Sequence, residues 1–195
     1  MKIIGICGSP RNKSNTALAL DIAMKEAKKE DIETEMIFLS EKEIKQCTHC
    51  NVCVDGKCPI DDDAEEILQK MAEADGIIIA TPTYFADVSG LLKDLMDRTL
   101  PLRRHGMKLK NKIGGAIAVG ASRNGGQEHA CMTIIRFMLL HEMIIASDQK
   151  TAHFGGIGMG SSKDSDALLN DETGIQTIKN IGIRVAKLVK YGIKN

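Results

Sequence analysis

The chain has no excess of charge of either sign and few aromatic residues. Its 26 basic and 26 acidic side chains give a formal net charge of +0, so the charge balance does not indicate a nucleic acid or an anionic membrane as a partner. Tryptophan is absent, and the 195 residues include only 2 Tyr and 4 Phe. A loop that contains two of these aromatic residues therefore stands out.

Long hydrophobic runs are also missing. The apolar segment at residues 1–7 turns polar at once, which makes it too short for a signal peptide or a membrane span. We therefore expect a cytoplasmic protein whose thiols are kept reduced. Under that expectation its cysteines bind metal, take part in redox chemistry or lie in the core, and Cys7 and Cys131, in apolar segments, are expected to be buried.

Four other cysteines are closely spaced. Cys47, Cys50, Cys53 and Cys58 have the spacing C-x2-C-x2-C-x4-C and are followed by Pro59. Thiolates on such a loop can converge on one point and bind an iron–sulfur cluster or zinc. Structural zinc sites usually have two C-x-x-C pairs with a longer spacer, whereas cysteines at steps of three are typical of ferredoxin clusters. The spacing favours an iron–sulfur cluster, with zinc as the alternative.

Strand and helix patterns alternate along the chain. Strand patterns cover residues 2–7, 34–39, 76–80, 112–119 and 143–146, and helical patterns cover residues 16–29, 62–74, 90–100, 127–141 and a last segment that ends near 191. This alternation predicts one α/β domain over residues 1–195, with a flavodoxin-like five-stranded parallel sheet in the order 2-1-3-4-5. Residues 40–60, here called the cysteine segment, are predicted to be an insertion after strand two.

Three polar loops are predicted to meet at one edge of this sheet, at the carboxyl ends of strands one, three and four. The first loop, residues 8–16, offers hydroxyls, an amide and cations beside a helix N-terminus, which suits a phosphate monoester. Its candidate residues are Ser9, Arg11, Ser14, Asn15 and Thr16. The alternative is an ordinary polar turn in which Ser14 or Thr16 caps the helix.

The second loop, residues 81–89, and the third loop, residues 120–128, have features that suit a flat ring. In the second loop an aromatic pair can stack on such a ring or pack into the core, and in the third loop two glycines permit close backbone approach. The candidate residues are Pro82, Thr83, Tyr84 and Phe85 in the second loop, and Ser122, Asn124, Gly125 and Gly126 in the third. Together the three loops predict a site for a phosphorylated planar cofactor, FMN.

These motifs resemble those of the iron–sulfur flavoproteins of anaerobic archaea and bacteria, a branch of the NADPH-dependent FMN reductase and flavodoxin-like superfamily. The matching pieces are residues 8–11 with 14–16, the four cysteines with residues 62–63, residues 81–85 with 93–94 and 97–98, and residues 123–128. The specific part of the resemblance runs from about residue 1 to residue 130.

The resemblance implies a [4Fe-4S] cluster on the four cysteines and FMN held at its phosphate by the first loop, with the other two loops around its ring. It also implies a homo-oligomer, a dimer of dimers, that takes electrons from a ferredoxin and passes them to oxygen, hydrogen peroxide or another oxidant. Because the cysteine segment is a long insertion, we expect transfer from cluster to flavin across a subunit interface. The alternatives are an NAD(P)H-dependent FMN or quinone reductase with structural zinc, and a non-enzymatic redox sensor.

Two further patterns have open interpretations. The basic residues Arg103, Arg104, His105, Lys108, Lys110 and Lys112 could steer an acidic ferredoxin or form a solvated connection. The glycine-rich run at residues 155–160 lacks dinucleotide spacing, so we expect a flexible loop near the ring or at an interface.

Overall fold

A parallel β-sheet forms the centre of the computed structural model, which describes residues 1–54, 56–148 and 150–192. The strands are β1 (Lys2–Cys7), β2 (Glu33–Phe38), β3 (Gly76–Pro82), β4 (Ile113–Gly120), β5 (Ile144–Ala146) and β6 (Gly156–Met159). Their order is β2-β1-β3-β4-β5, and β6 also pairs with β4. This order confirms the predicted flavodoxin-like fold.

Helices cover both faces of the sheet. They are α1 (Asn15–Lys28), α2 (Ala64–Glu73), α3 (Gly90–Arg98), α4 (Leu100–Arg104), α5 (Gln127–Leu140) and α6 (Glu172–Tyr191). Successive side chains of a strand point to opposite faces, so Ile3 packs in the core under α1 and α6, and Ile4 in the core under α2, α3 and α5. Within the described residues, no helix is both long and apolar enough to cross a bilayer.

The glycine-rich run is a strand and not the flexible loop that its composition predicts. β6 pairs in parallel with β4, from Ile117 opposite Gly156 to Gly120 opposite Met159. A Cβ on Gly156 would lie 3.1 Å from the Cα of Ile178 in α6, so glycine here permits close packing of helix on strand. β5 pairs with the first part of β4, and β5 and β6 together occupy the position of a fifth strand.

A buried ion pair closes the base of the cysteine segment, which follows β2. Arg98, the last residue of α3, donates to both oxygens of the Asp62 carboxylate at 2.5 and 3.0 Å, and the two side chains are 2% and 0% exposed. Arg98 also donates to the Lys45 carbonyl, and Asp62 accepts from the Lys45 amide, each at 2.8 Å. The chain before the first cysteine and the chain after the last are thereby fastened to α3.

The same contacts set the ionisation of Asp62. Burial raises the pKa of its carboxyl, but the hydrogen bonds from Arg98 and from the amides of Lys45 and Ala64 together lower the pKa by a larger amount. The net result is a pKa below the ordinary value of 3.8, so the carboxylate is charged at neutral pH and balances the buried guanidinium.

Gly182→Ala tests the packing of α6 on α1. A Cβ at Gly182 would lie 2.9 Å from the Cα of Ala23, so we expect a loss of about 1–3 kcal/mol in the free energy of unfolding, despite the better helix propensity of alanine. Urea unfolding measures the change. Gly90→Ala, with no atom within 4 Å of the added Cβ, is the control; equal stability of both variants would contradict the close approach.

Asp62→Asn tests the ion pair. Removing one partner of a buried pair is expected to cost about 3 kcal/mol at neutral pH. Because the folded-state pKa of Asp62 is lowered, its contribution is fully present above the ordinary carboxyl pKa and is lost as the pH falls through the lowered value.

Urea unfolding of this variant and the wild type at pH 7 and at several values below pH 4 should therefore show a gap in the free energy of unfolding that becomes smaller as the pH falls. The exposed neighbour Asp61 supplies the control, Asp61→Asn. A gap that does not depend on pH would rule out the assigned ionisation.

Candidate functional site

A cleft lies at the carboxyl edge of the sheet, where β1, β3 and β4 end. We call it the edge cleft. Its walls are Ser9, Arg11, Ser14, Asn15, Thr16, Pro82, Thr83, Tyr84, Val119, Gly120, Ala121, Gly160, Ser161 and Ser162. The structure thus brings together all five candidates of the first loop and three of the second, and adds residues that follow β6.

The N-terminus of α1 forms one end of the edge cleft. Ser14 caps the helix, since its side-chain oxygen accepts from the Ala17 amide at 3.1 Å. The first amides of a helix have no partner within it, so those of Asn15 and Thr16 point outward beside the hydroxyl groups. The exposed Arg11 adds a cation at this end. Amides, hydroxyls and a guanidinium together suit a phosphate group.

The Asn15 side chain holds in place a fourth loop, residues 160–166, which follows β6. Its Nδ2 donates to the carbonyls of Ser161 and Asp164 at 2.9 and 2.7 Å, and its Oδ1 accepts from the Leu168 amide at 2.8 Å. Arg11 Nη1 likewise donates to the Ser162 carbonyl at 2.7 Å. Sequence reasoning expected the glycine run at residues 155–160 near the ring or at an interface, and Gly160 does line the cleft. It did not propose Ser161 and Ser162, which carry no motif and reach the cleft after β6.

The second loop contributes a buried hydroxyl without a protein partner. The Thr83 amide donates to the Val119 carbonyl at 2.9 Å, which ties the loop to β4. The Thr83 Oγ1 is inaccessible to solvent and has no hydrogen-bond partner among the described residues. Buried hydroxyls are rarely left unpaired, and this one belongs to a wall of the edge cleft. It fits a site that is completed by a polar ligand.

The aromatic pair of the second loop divides between two environments. Tyr84 and Asp87 exchange two backbone hydrogen bonds in a tight turn, and Phe85 and Ala86 at its tip have φ values of 50° and 61°. Tyr84 lines the edge cleft. Phe85 is fully exposed, at 106%, and lies neither in the cleft wall nor in the core.

The third loop borders the edge cleft with its first residues only. Gly120 and Ala121 line the cleft, whereas the structure places the four candidates outside its wall. Those candidates are Ser122, Asn124, Gly125 and Gly126. A Cβ on Gly126 would lie 2.7 Å from the Cα of Ala86, so this glycine serves contact between the second and third loops.

Arg123 and Asp171 fasten the third loop to the start of α6. Arg123 Nη2 lies 2.5 Å from the Asp171 carboxylate, which also accepts from the amides of Met159 and Gly174. Burial raises the pKa of Asp171, but these hydrogen bonds lower it by a larger amount, so the pKa lies below its ordinary value. The carboxylate is a charged anchor between β6, α6 and the third loop.

The edge cleft as a whole fits FMN. One end has amides, hydroxyls and a guanidinium for a phosphate, while Pro82, Tyr84, Gly120 and Ala121 offer apolar and flat surfaces for a ring. The unpaired Thr83 hydroxyl is a ready partner for a polar ring or ribityl atom.

The cysteine segment has the chemistry of a metal site without its closed geometry. All four of its cysteines are free thiols; Cys53 is buried, Cys47 and Cys58 are half-buried, and Cys50 is exposed. In the described ranges, no three His, Cys, Asp or Glu side chains converge closely enough to hold a metal ion. Four soft thiols fit an iron–sulfur cluster or zinc, and binding either one would require the segment to draw its sulfurs together.

Two residues of the basic run contact the cysteine segment. Arg104 Nη1 lies 3.4 Å from the Cys53 sulfur, and His105 Nε2 lies 2.7 Å from the Cys53 carbonyl. This part of the run is therefore not merely a solvated connection. The remaining cysteines, Cys7 and Cys131, are buried as expected, and burial raises the pKa of Cys7 to about 11.

The sequence of the chain is similar to known redox proteins. The family model for NADPH-dependent FMN reductase matches residues 1–155. An iron–sulfur flavoprotein of Methanocaldococcus jannaschii is 52% identical over 192 residues, which are 97% of this chain and 98% of that protein. An iron–sulfur flavoprotein of Methanosarcina thermophila is 40% identical over 196 residues, which are 100% of this chain and 98% of that protein.

A solved structure shares the fold. A flavodoxin, WrbA-like protein from Agrobacterium tumefaciens superposes with a TM-score of 0.68 and 16% identity, and the match covers 98% of each chain. At that identity the likeness bears on the fold alone. The sequence matches over nearly the whole chain carry the assignment: the chain is an FMN-dependent oxidoreductase that belongs to the iron–sulfur flavoproteins of the NADPH-dependent FMN reductase family.

Proposed function

We propose that this protein is an electron-transfer oxidoreductase that holds FMN in the edge cleft and a [4Fe-4S] cluster on Cys47, Cys50, Cys53 and Cys58. Its electron donor is a ferredoxin, and its acceptor is oxygen, peroxide or another oxidant. The observation that carries the proposal is the presence, in one chain, of a cleft suited to FMN and four free thiols fastened beside α3.

The two groups would supply complementary chemistry, since FMN exchanges one or two electrons and an iron–sulfur cluster exchanges one. The contribution of the chain is to bind and position them. Ser9, Thr16 and the start of α1 would hold the phosphate, while Asn15 keeps the fourth loop against that end of the cleft. Thr83 would donate to or accept from a polar atom of the flavin.

The partners, oligomeric state and compartment are part of the same proposal. We propose a cytoplasmic homo-oligomer, a dimer of dimers, in which electrons pass from cluster to flavin between subunits. Support comes from the free state of the six cysteines, which suits a reducing compartment. The fully exposed Phe85 beside the edge cleft is compatible with a contact from another subunit.

Thr83→Val tests the placement of FMN. Because the Thr83 hydroxyl has no protein partner, valine should leave the stability of the apoprotein unchanged or slightly higher. Loss of a bond to the flavin should weaken FMN binding about fivefold, by about 1 kcal/mol.

Fluorescence titration of the apoprotein with FMN measures the affinity, and urea unfolding measures the stability. Thr34→Val on strand β2, away from the cleft wall, is the matched control and should bind FMN like the wild type. Unaltered affinity in the Thr83 variant would contradict the proposed contact.

Cys53→Ser tests whether the two redox sites are separate. None of the four cysteines lines the edge cleft, so the variant should lose the absorbance of the cluster and retain FMN. Loss of both groups would show that the sites depend on each other.

Metal analysis of the anaerobically purified wild type separates the proposal from its alternatives. About four iron and four acid-labile sulfide per chain, together with FMN, are expected for the [4Fe-4S] cluster. One zinc without sulfide would indicate the alternative, an NAD(P)H-dependent reductase with a structural zinc site. A protein without flavin would contradict both.

A further inference from the structure

We propose that Arg104 is a positioning residue that raises the reduction potential of the cluster through its contact with Cys53. This inference rests on the proposed function, because it presupposes that the four cysteines hold a cluster. It assigns a specific role to one cation of the basic run.

Arg104 is fixed to the cysteine segment at two points. Its Nη1 lies 3.4 Å from the sulfur of Cys53, and its Nη2 donates to the side-chain oxygen of Asn51 at 3.2 Å. A guanidinium presents its donors in a rigid fork, so two bonds to neighbouring residues orient the whole group. The positive charge is therefore held at the sulfur although the rest of the side chain is exposed.

Cys53 is the most buried of the four cysteines. It lies in the short 3-10 turn Val52–Val54, is 8% exposed, and its carbonyl contacts His105 Nε2 at 2.7 Å. A carbonyl oxygen only accepts, so His105 donates from Nε2. Arg104 in helix α4 thus contacts the sulfur of Cys53, and His105, the residue after the helix, contacts its main-chain carbonyl. These contacts favour Cys53 as the fixed point toward which the other sulfurs would be drawn.

Arg98, another guanidinium near the segment, also interacts with a cysteine, Cys58, but its charge has a carboxylate partner. Its charge is already balanced by the Asp62 carboxylate at 2.5 Å. For Arg104, by contrast, the described part of the chain places no carboxylate oxygen within 4.0 Å. The charge of Arg104 is therefore available to the sulfur ligand.

The electrostatic consequence follows from the charge of the cluster. Reduction transfers one electron to the cluster, breaks no bond to the cysteines and moves no proton, so the cluster gains one unit of negative charge. A nearby cation stabilises the more negative state and thereby raises the potential. Partial exposure of Arg104 weakens this effect, because solvent screens the interaction.

The test is a redox titration with dithionite, followed by electron paramagnetic resonance of the reduced cluster in the FMN-loaded protein. Arg104→Gln should lower the ratio of reduced to oxidised cluster about tenfold at a given potential, a shift of about 59 mV for one electron. Arg104→Lys, which keeps the charge, should lie closer to the wild type. Lys108→Gln removes a cation from the same basic run, exposed and without a side-chain bond to the described part of the cysteine segment, and should leave the potential unchanged.

The outcomes separate the inference from the proposed function. A wild type without iron and sulfide would defeat the proposed function itself. A wild type with a normal cluster, and Arg104→Gln with the same potential, would overturn the inference alone. An equal shift in Lys108→Gln would also overturn it, because the effect would then be general to surface charge.

A variant that keeps Arg104 provides the answer if Arg104→Gln fails to load a cluster. Asn51→Gly removes the second anchor of the guanidinium, and glycine accepts the φ of 63° at this position without strain. We expect a smaller shift in the same direction. An unchanged potential in this variant would count against a held charge at Cys53.

Discussion

The buried pair of Arg98 and Asp62 is the interaction on which the cysteine segment depends. Transferring two charges from water into protein is costly, and close pairing with additional hydrogen bonds offsets that cost. Here Asp62 accepts from the guanidinium and from two backbone amides, and Arg98 also donates to the Lys45 carbonyl. A segment with little regular structure of its own is thereby closed at both ends, and α3 becomes its support.

The edge cleft depends on a different principle, the shared edge of a parallel sheet. Three strands end together there, so loops that are far apart in the chain face one ligand site. Backbone hydrogen bonds fix the positions of these loops relative to one another, as between Thr83 and Val119 and between Gly160 and Gly120. Asn15 then binds the fourth loop to the start of α1. The groups that line the edge cleft are thus held by strands and a helix and do not rely on the loops alone.

The fold was largely predictable because the spacing of apolar residues and the length of each apolar segment distinguish strands from helices. Buried isoleucine runs identify β1 and β3, and polar helices with one apolar face fall between them within a few residues of the predicted bounds. β6 was missed since its glycines give no hydrophobic pattern. They are required by the space between β4 and α6, where a Cβ on Gly156 would press against Ile178, and no local rule describes that space.

The sequence by itself determined the family, the α/β alternation and the close spacing of four cysteines, because these follow from residue types and short spacings. Only the tertiary structure decided which groups meet. In the folded chain Arg98 pairs with Asp62, and the Asn15 side chain binds the fourth loop. Phe85 lies outside the cleft, and Arg104 contacts Cys53. Such contacts join residues far apart in the chain, and they arise from the packing of whole helices and strands, which no short stretch of sequence specifies.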